Sequence, residues 1–350
     1  MTNPSEFGTE SMDASALLDK IPFLNLEVRH DSLFEDSMAL ILQVFTDWSA
    51  DDLVMKQCKD GITNKLIQCT NKREDVTVLI RAYGKHTEVI IDRNQELINM
   101  ASLTHLNMCP PLYARFENGL VYGYIPGTVA KPEEMGNSLW APLIAKKLAE
   151  WGQVQLPGDH SPQLFPSMRR WMKDIPSNYE NERSNKIFHE NFNIAALEKE
   201  LDDLENILVN LEPPVVFSHN DLLSGNIIMS ESQDEVSFID YEYAMYNYRG
   251  FDIANHFNEY AGFECDYSRY PSKEDQLKWF KTYLDSINLD SSPDALEKVY
   301  TEVSLFQLAS HFYWGVWGLV QAAISDIDFD YMDYARMRFE QYRKIKAELI

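Results

Sequence analysis

The sequence predicts an α+β protein of two lobes, with a small antiparallel-sheet N-terminal lobe and a larger, mostly helical C-terminal lobe. Three observations lead there. Before the Pro126-Gly127 break, β-branched and alternating runs predominate. Beyond it, apolar residues recur at helical spacing over five long segments. A chain of 350 residues is long enough for two such bodies. The expected organisation is a flexible tail over residues 1–18, one lobe over 19–127 and a second over 128–350.

In the first lobe, residues 21–29 alternate well enough for a strand, and 37–48 has helical spacing. Strand-like runs at 53–59 and 66–70 flank the turn Asp60-Gly61-Ile62-Thr63-Asn64-Lys65. The β-branched run 77–83 stops at Gly84, and 92–106 reads as a helix. Runs 112–116 and 120–125 form a hairpin around Glu117-Asn118-Gly119, since Asn-Gly is a favoured hairpin turn.

In the second lobe, helices are expected over 138–151, 192–211, 273–286, 293–323 and 331–349, the fourth open to division. Leu197, Leu201, Leu204, Leu208 and Leu211 span only about two heptads, which favours an amphipathic helix over a coiled-coil seam. One short β segment, with runs at 215–217, 227–229 and 236–239, interrupts the helices. A cleft between two lobes is the default place for a ligand.

Composition narrows the function. The chain is 45% apolar and 25% charged, which excludes wholesale disorder and fibrous repeats. Its 31 Lys+Arg against 55 Asp+Glu leave a net charge of −24. Such a surface repels nucleic acid and anionic lipid, suits neutral or cationic partners, and equally serves solubility. An anionic ligand would need a local donor cluster or a metal ion. The first twenty residues lack a basic start and an apolar run. The longest apolar stretch, 312–320, is far short of the roughly 20 residues a spanning helix requires. Cys58, Cys69, Cys109 and Cys265 show no metal or disulfide spacing and read as thiols of a reducing cytoplasm.

The densest polar cluster is His219-Asn220-Asp221-Leu222-Leu223-Ser224-Gly225-Asn226, which follows an apolar strand. A second apolar run ends in Asp240-Tyr241-Glu242. Phosphoryl transfer needs a carboxylate for the hydroxyl proton and oxygen ligands for Mg²⁺. Asp221 suits the first role; Asn226 and Asp240 suit the second. A single Asp after a strand is ordinarily a turn or cap residue. The joint pattern on two strands is much more specific.

These residues resemble the choline/ethanolamine kinase family, a branch of the protein-kinase-like fold that uses H-R-D-x-x-x-x-N and D-F-G at the equivalent places. The resemblance runs from about residue 53 to about residue 342. It implies ATP and Mg²⁺ as cofactors, with Gly61, Ile62, Thr63 and Asn64 in the phosphate-covering turn. Arg81 would contact phosphate, Glu96 would be its helix partner, and Tyr124 and Ile125 would form the adenine-binding hinge. On the acceptor side, Glu259 would face the substrate's positive nitrogen, and Trp314, Trp317 and Tyr334 would be cation-facing rings. The plainer readings are a core strand at the hinge and an aromatic core stripe at the rings.

The single glycine in Asp60-Gly61 and the segment Tyr260-Ala261-Gly262-Phe263-Glu264 depart from the choline-kinase pattern and look more like ethanolamine kinase. The implied activity is phosphorylation of ethanolamine to phosphoethanolamine, the first step of the CDP-ethanolamine route to phosphatidylethanolamine. Choline or dual specificity is the alternative. Aminoglycoside phosphotransferases share the acidic elements without the three rings, and a catalytically dead binding module would not need the full polar set. Family members are often homodimers, though no sequence patch marks an interface.

Overall fold

The computed structural model describes residues 14–58, 64–84 and 86–350. The chain separates into two units. The first comprises the described residues up to Tyr83, with Arg93–Tyr124 and Gln155–Asp159; the second comprises Gly84–Asp92, Ile125–Val154 and His160–Ile350.

In the first unit the elements are α1 (Ala14–Leu18), β1 (Phe23–Leu24), α2 (Leu33–Val44), β2 (Leu53–Cys58) and β3 (Lys65–Asn71). They are followed by β4 (Val76–Ala82), α3 (Arg93–His105), β5 (Leu112–Phe116) and β6 (Gly119–Gly123). Six strands form one sheet in the order β1-β5-β6-β4-β3-β2, antiparallel except where β1 joins β5. The period-two alternation selects its inner face. Ile67 and Cys69 of β3, Val78 and Ile80 of β4 and Val121 of β6 share one buried cluster with Leu40 and Ile41 of α2.

Three expectations change here. Ala14–Leu18, within the stretch read as tail, is helical and lies against α3. The helix expected over 37–48 lies earlier, at Leu33–Val44, and the Phe45 and Trp48 rings beyond it stack at 4.1 Å. The strand expected over 21–29 shrinks to Phe23–Leu24. Its continuation bonds to a side chain instead: Asn118 Oδ1 accepts from Val28 N–H and Asn118 Nδ2 donates to the Val28 carbonyl, both at 2.9 Å.

The second unit contains β7 (Thr128–Val129), α4 (Trp140–Trp151), α5 (Leu164–Met172), α6 (Glu182–Asn191) and α7 (Ile194–Val209). Next come β8 (Val215–Ser218), β9 (Ile227–Met229), β10 (Val236–Phe238), β11 (Met245–Tyr248) and α8 (Arg249–Asn258). It closes with α9 (Lys273–Ser286), α10 (Pro293–Ile324) and α11 (Tyr331–Leu349). Side-chain caps set several helix starts: Asn193, Ser272, Ser292 and Asp330 each accept a backbone N–H from the first turn. The short β segment belongs to two small antiparallel sheets, β10-β9-β7 and β11-β8.

Helix α10 is one unbroken helix of 32 residues, buried along most of its length from Glu302 to Gln321. A helix that is apolar on all sides belongs in a core. Helices α8, α9 and α11 pack on it. Helix α8 escapes sequence reading because Gly250 lowers its propensity. The glycine is required there, since a Cβ would stand 2.6 Å from the Phe306 ring. No helix among the described residues is long and apolar enough to cross a membrane. Cys58, Cys69, Cys109 and Cys265 form no disulfide with one another.

Candidate active site

Strand β8 runs directly into the loop His219-Asn220-Asp221. The Asp252 carboxylate on α8 clamps this loop by its backbone, accepting the N–H of His219 at 3.0 Å and of Asn220 at 2.8 Å. Asn220 is left-handed, with φ 63°, a conformation that Asn tolerates better than most residues. Its side chain donates to the Tyr243 carbonyl and accepts from Asn247, both at 2.9 Å. His219 donates through Nε2 to the Ile239 carbonyl at 3.0 Å. Its Nδ1 accepts the Asp221 N–H at 3.4 Å. Burial holds this imidazole down to about 4, so it is neutral near pH 7 and acts as a brace.

Asn226 Nδ2 donates to the Asp221 carbonyl at 2.8 Å and to Asp221 Oδ2 at 3.0 Å. That commits the amide nitrogen and leaves the amide oxygen for another ligand. The β9–β10 register pairs Ile227 with Phe238, and the ladder continues one bond further, from Ile239 N–H to the Asn226 carbonyl at 3.0 Å. Asn226 and Asp240 are thereby brought to one end of the hairpin. Asp240 is also left-handed, with φ 65°. Such residues store about 1–3 kcal/mol of strain and persist where their surroundings over-determine them.

Burial raises the Asp221 carboxyl well above the usual carboxylate range, helped by the charges of Asp240, Glu259 and Glu242 in that order. Four carboxylates therefore share one neighbourhood. Mg²⁺ is commonly held by one or two carboxylates plus substrate phosphates, keeping several waters. An amide oxygen and a carboxylate, from Asn226 and Asp240, fit that requirement. Among the described residues no group of three or more His, Cys, Asp or Glu could form an all-protein metal cage.

Glu259 follows α8 and is buried; its Oε1 accepts from Arg338 Nη1 at 2.9 Å. The same nitrogen donates to the Tyr334 hydroxyl at 3.2 Å. Trp314 and Trp317 meet edge to face at 5.3 Å, and Trp317 lies 6.1 Å from Tyr334, so the three expected rings are contiguous. Their polar edges are occupied from within. Trp314 Nε1 donates to Asn255 Oδ1 at 2.6 Å and Trp317 Nε1 to the Tyr243 hydroxyl at 2.8 Å. Phe329 and Phe263 extend the wall, 5.7 and 6.3 Å from Tyr334.

In the first unit, Arg81 of β4 and Glu96 of α3 form the expected buried ion pair. Sequence reading passed over Arg93, which donates to the other Glu96 oxygen at 2.9 Å and to Asn64 Oδ1 at 3.2 Å. Its guanidinium also lies 4.1 Å from the Tyr83 ring centre. Gly61, Ile62 and Thr63 lie outside the described residues. Strand β6 ends at Gly123, so Tyr124 and Ile125 stand just beyond it. Arg338 and Tyr243 were also passed over, whereas Asp252 and Asn255 lie in the segment 248–259 that matches the family's signature but carry no individual role there. The available signal for Arg338 was its place four residues after Tyr334, on the same helix face.

A sequence model of the choline/ethanolamine kinase family matches residues 55–343. The chain belongs to the choline/ethanolamine kinase family. It is 40% identical over 306 residues to a probable ethanolamine kinase A of Dictyostelium discoideum, a match covering 86% of this chain and 87% of that one. It is 39% identical over 334 residues to ethanolamine kinase 2 of Mus musculus, covering 94% and 86%. Among solved structures it resembles an ethanolamine kinase from Plasmodium vivax, with TM-score 0.82, 28% identity and coverage of 96% and 95%. A choline kinase from Cryptosporidium parvum, 24% identical with TM-score 0.74 over 90% and 96%, shares the fold. The fold is the two-lobed, protein-kinase-like one that the sequence predicts, and family membership makes the chain a phosphotransferase acting on an alcohol.

Proposed function

We propose that this kinase transfers the γ-phosphoryl group of ATP to the hydroxyl of ethanolamine. The observation that carries the reading is the shared neighbourhood of Asp221, Asp240 and Glu259 in one unit with the contiguous rings of Trp314, Trp317 and Tyr334. Relatives about 40% identical that bear the name ethanolamine kinase support the choice of amine.

In this reading Asp221 orients the hydroxyl and accepts its proton as the oxygen bonds to the γ-phosphorus and ADP departs. Asn226 and Asp240 would hold Mg²⁺, which when bound would neutralise charge on the phosphate oxygens. Arg81, oriented by Glu96, binds phosphate together with the turn Gly61, Ile62, Thr63 and Asn64. The backbone of Tyr124 and Ile125 receives the adenine. Glu259 accepts from the substrate ammonium, and the rings face its charge.

Ethanolamine offers three N–H donors, whereas choline offers methyl groups and would strand a buried acceptor at a cost of about 1–3 kcal/mol. A coupled assay with ATP, Mg²⁺ and each amine tests this. The expected kcat/KM favours ethanolamine by at least about tenfold, which corresponds to about 1.4 kcal/mol. Equal or better use of choline overturns the amine and leaves the kinase standing.

A further inference from the structure

Arg338 of α11 is fully buried, and its guanidinium divides its donors between two directions. Nη1 serves Glu259 Oε1 at 2.9 Å and the Tyr334 hydroxyl at 3.2 Å. Nη2 serves Ser310, donating to its carbonyl at 3.3 Å and its Oγ at 3.1 Å. From there the chain continues. Ser310 Oγ donates to Asn255 Oδ1 at 2.8 Å, the same oxygen that accepts from Trp314. Asn255 Nδ2 then donates to the Asn220 carbonyl at 3.0 Å. One hydrogen-bonded path thus joins Glu259 to the residue before Asp221.

We propose that Arg338 is a positioning residue for the amine subsite, holding Glu259 by one oxygen so that the other faces the substrate ammonium. It sets the Tyr334 ring beside that carboxylate and ties both to the loop carrying Asp221. The proposal rests on the reading of Glu259 as the amine's partner. Its geometry is unlike that of a pair built for stability alone. An Arg–carboxylate pair is often bidentate, with two parallel N–H···O bonds. Here only Oε1 is engaged by Arg338, and the second arm of the fork goes to Ser310. A lysine ammonium, a point charge on a flexible stem, lacks the fixed fork that serves both.

Steady-state kinetics on the full chain with ATP, Mg²⁺ and ethanolamine test the proposal, using Arg338→Lys, Arg338→Met, Glu259→Gln and the Arg338→Met/Glu259→Gln double variant. A charge-assisted hydrogen bond lost from the subsite should lower ethanolamine kcat/KM about tenfold or more, chiefly through the amine KM, with ATP KM within about twofold. If Arg338 acts through Glu259, the double variant loses no more than Glu259→Gln alone. Additive losses, or an ATP KM that rises in step with the amine KM, overturn the role of Arg338. A Glu259→Gln variant with undiminished ethanolamine kcat/KM overturns the amine reading itself, and this proposal with it. Should Arg338→Met fail to fold, Ser310→Ala cuts the Oγ arm of the network without stranding a charge. That variant should raise the amine KM and spare the ATP KM; the reverse pattern overturns the proposal.

Discussion

Asp221 is held by its neighbours at three polar atoms. Its N–H goes to His219, and its carbonyl and Oδ2 go to Asn226. In the proposed role of general base, a carboxylate positioned in this way contributes on the order of 10²–10⁴ in rate. Asp221→Asn should therefore lower kcat at least about a hundredfold while ATP KM barely moves; turnover above about a tenth of wild type removes Asp221 as the base. A different residue answers to pH. His256 is buried, donates through Nδ1 to the Leu222 carbonyl at 3.0 Å, and its Nε2 meets no hydrogen-bond partner among the described residues. Burial holds it down to about 4. In the unfolded chain an imidazole protonates near about 6.5, so between there and about 4 only the unfolded state binds the proton. The stability His256 contributes is whole above about pH 6.5 and is lost as pH falls toward about 4. The Tm advantage of wild type over His256→Gln should shrink between about pH 7 and about pH 4, and an advantage that holds or grows would exclude a neutral buried His256.

Among the elements, the α10–α11 contact governs how the proposed amine subsite is built, because α10 carries Trp314 and Trp317 while α11 carries Tyr334 and Arg338. Their close approach depends on Gly315, where a Cβ would stand 2.5 Å from the Phe339 ring. Overpacking of this kind costs about 1–3 kcal/mol, so Gly315→Ala should lower stability by that amount in denaturant unfolding. Because the strain displaces α11, amine KM should rise as well; a variant with wild-type stability and KM would show that the contact is slack. Ser292 offers the contrast. Its Oγ caps α10 at the end away from the rings, accepting Ala295 N–H at 3.4 Å. Ser292→Ala should cost about 1 kcal/mol of stability and leave the amine KM unchanged.

Over the whole molecule, a net charge of −24 sets a field that draws in a cationic amine and opposes an anionic nucleotide. Salt screens both effects, since the Debye length shortens to about 10 Å near 0.1 M. Raising ionic strength from about 20 mM to about 200 mM should therefore raise amine KM and lower ATP KM, each by about two- to fivefold. Shifts of the same sign for both substrates would mean that the field plays no part in binding.

Sequence alone determined the architecture class, most helix and strand positions and the acidic motif on its two strands. These are local properties, written in periods of two or 3.6 residues and in turns a few residues long. The motif from His219 to Asn226 was legible for the same reason: Asn226 reaches Asp221 within a single turn of chain. Helix α8 was hidden because Gly250 argues against a helix locally, while the demand for it comes from Phe306 on α10. The Asp252 clamp on His219 and Asn220, the Asn255 bridge and the Arg338–Glu259 pair were decided only by the tertiary structure. Glu259 and Arg338 stand 79 residues apart. What brings them together is the packing of α8 and α11 against α10, and no local pattern records which buried charge will meet which.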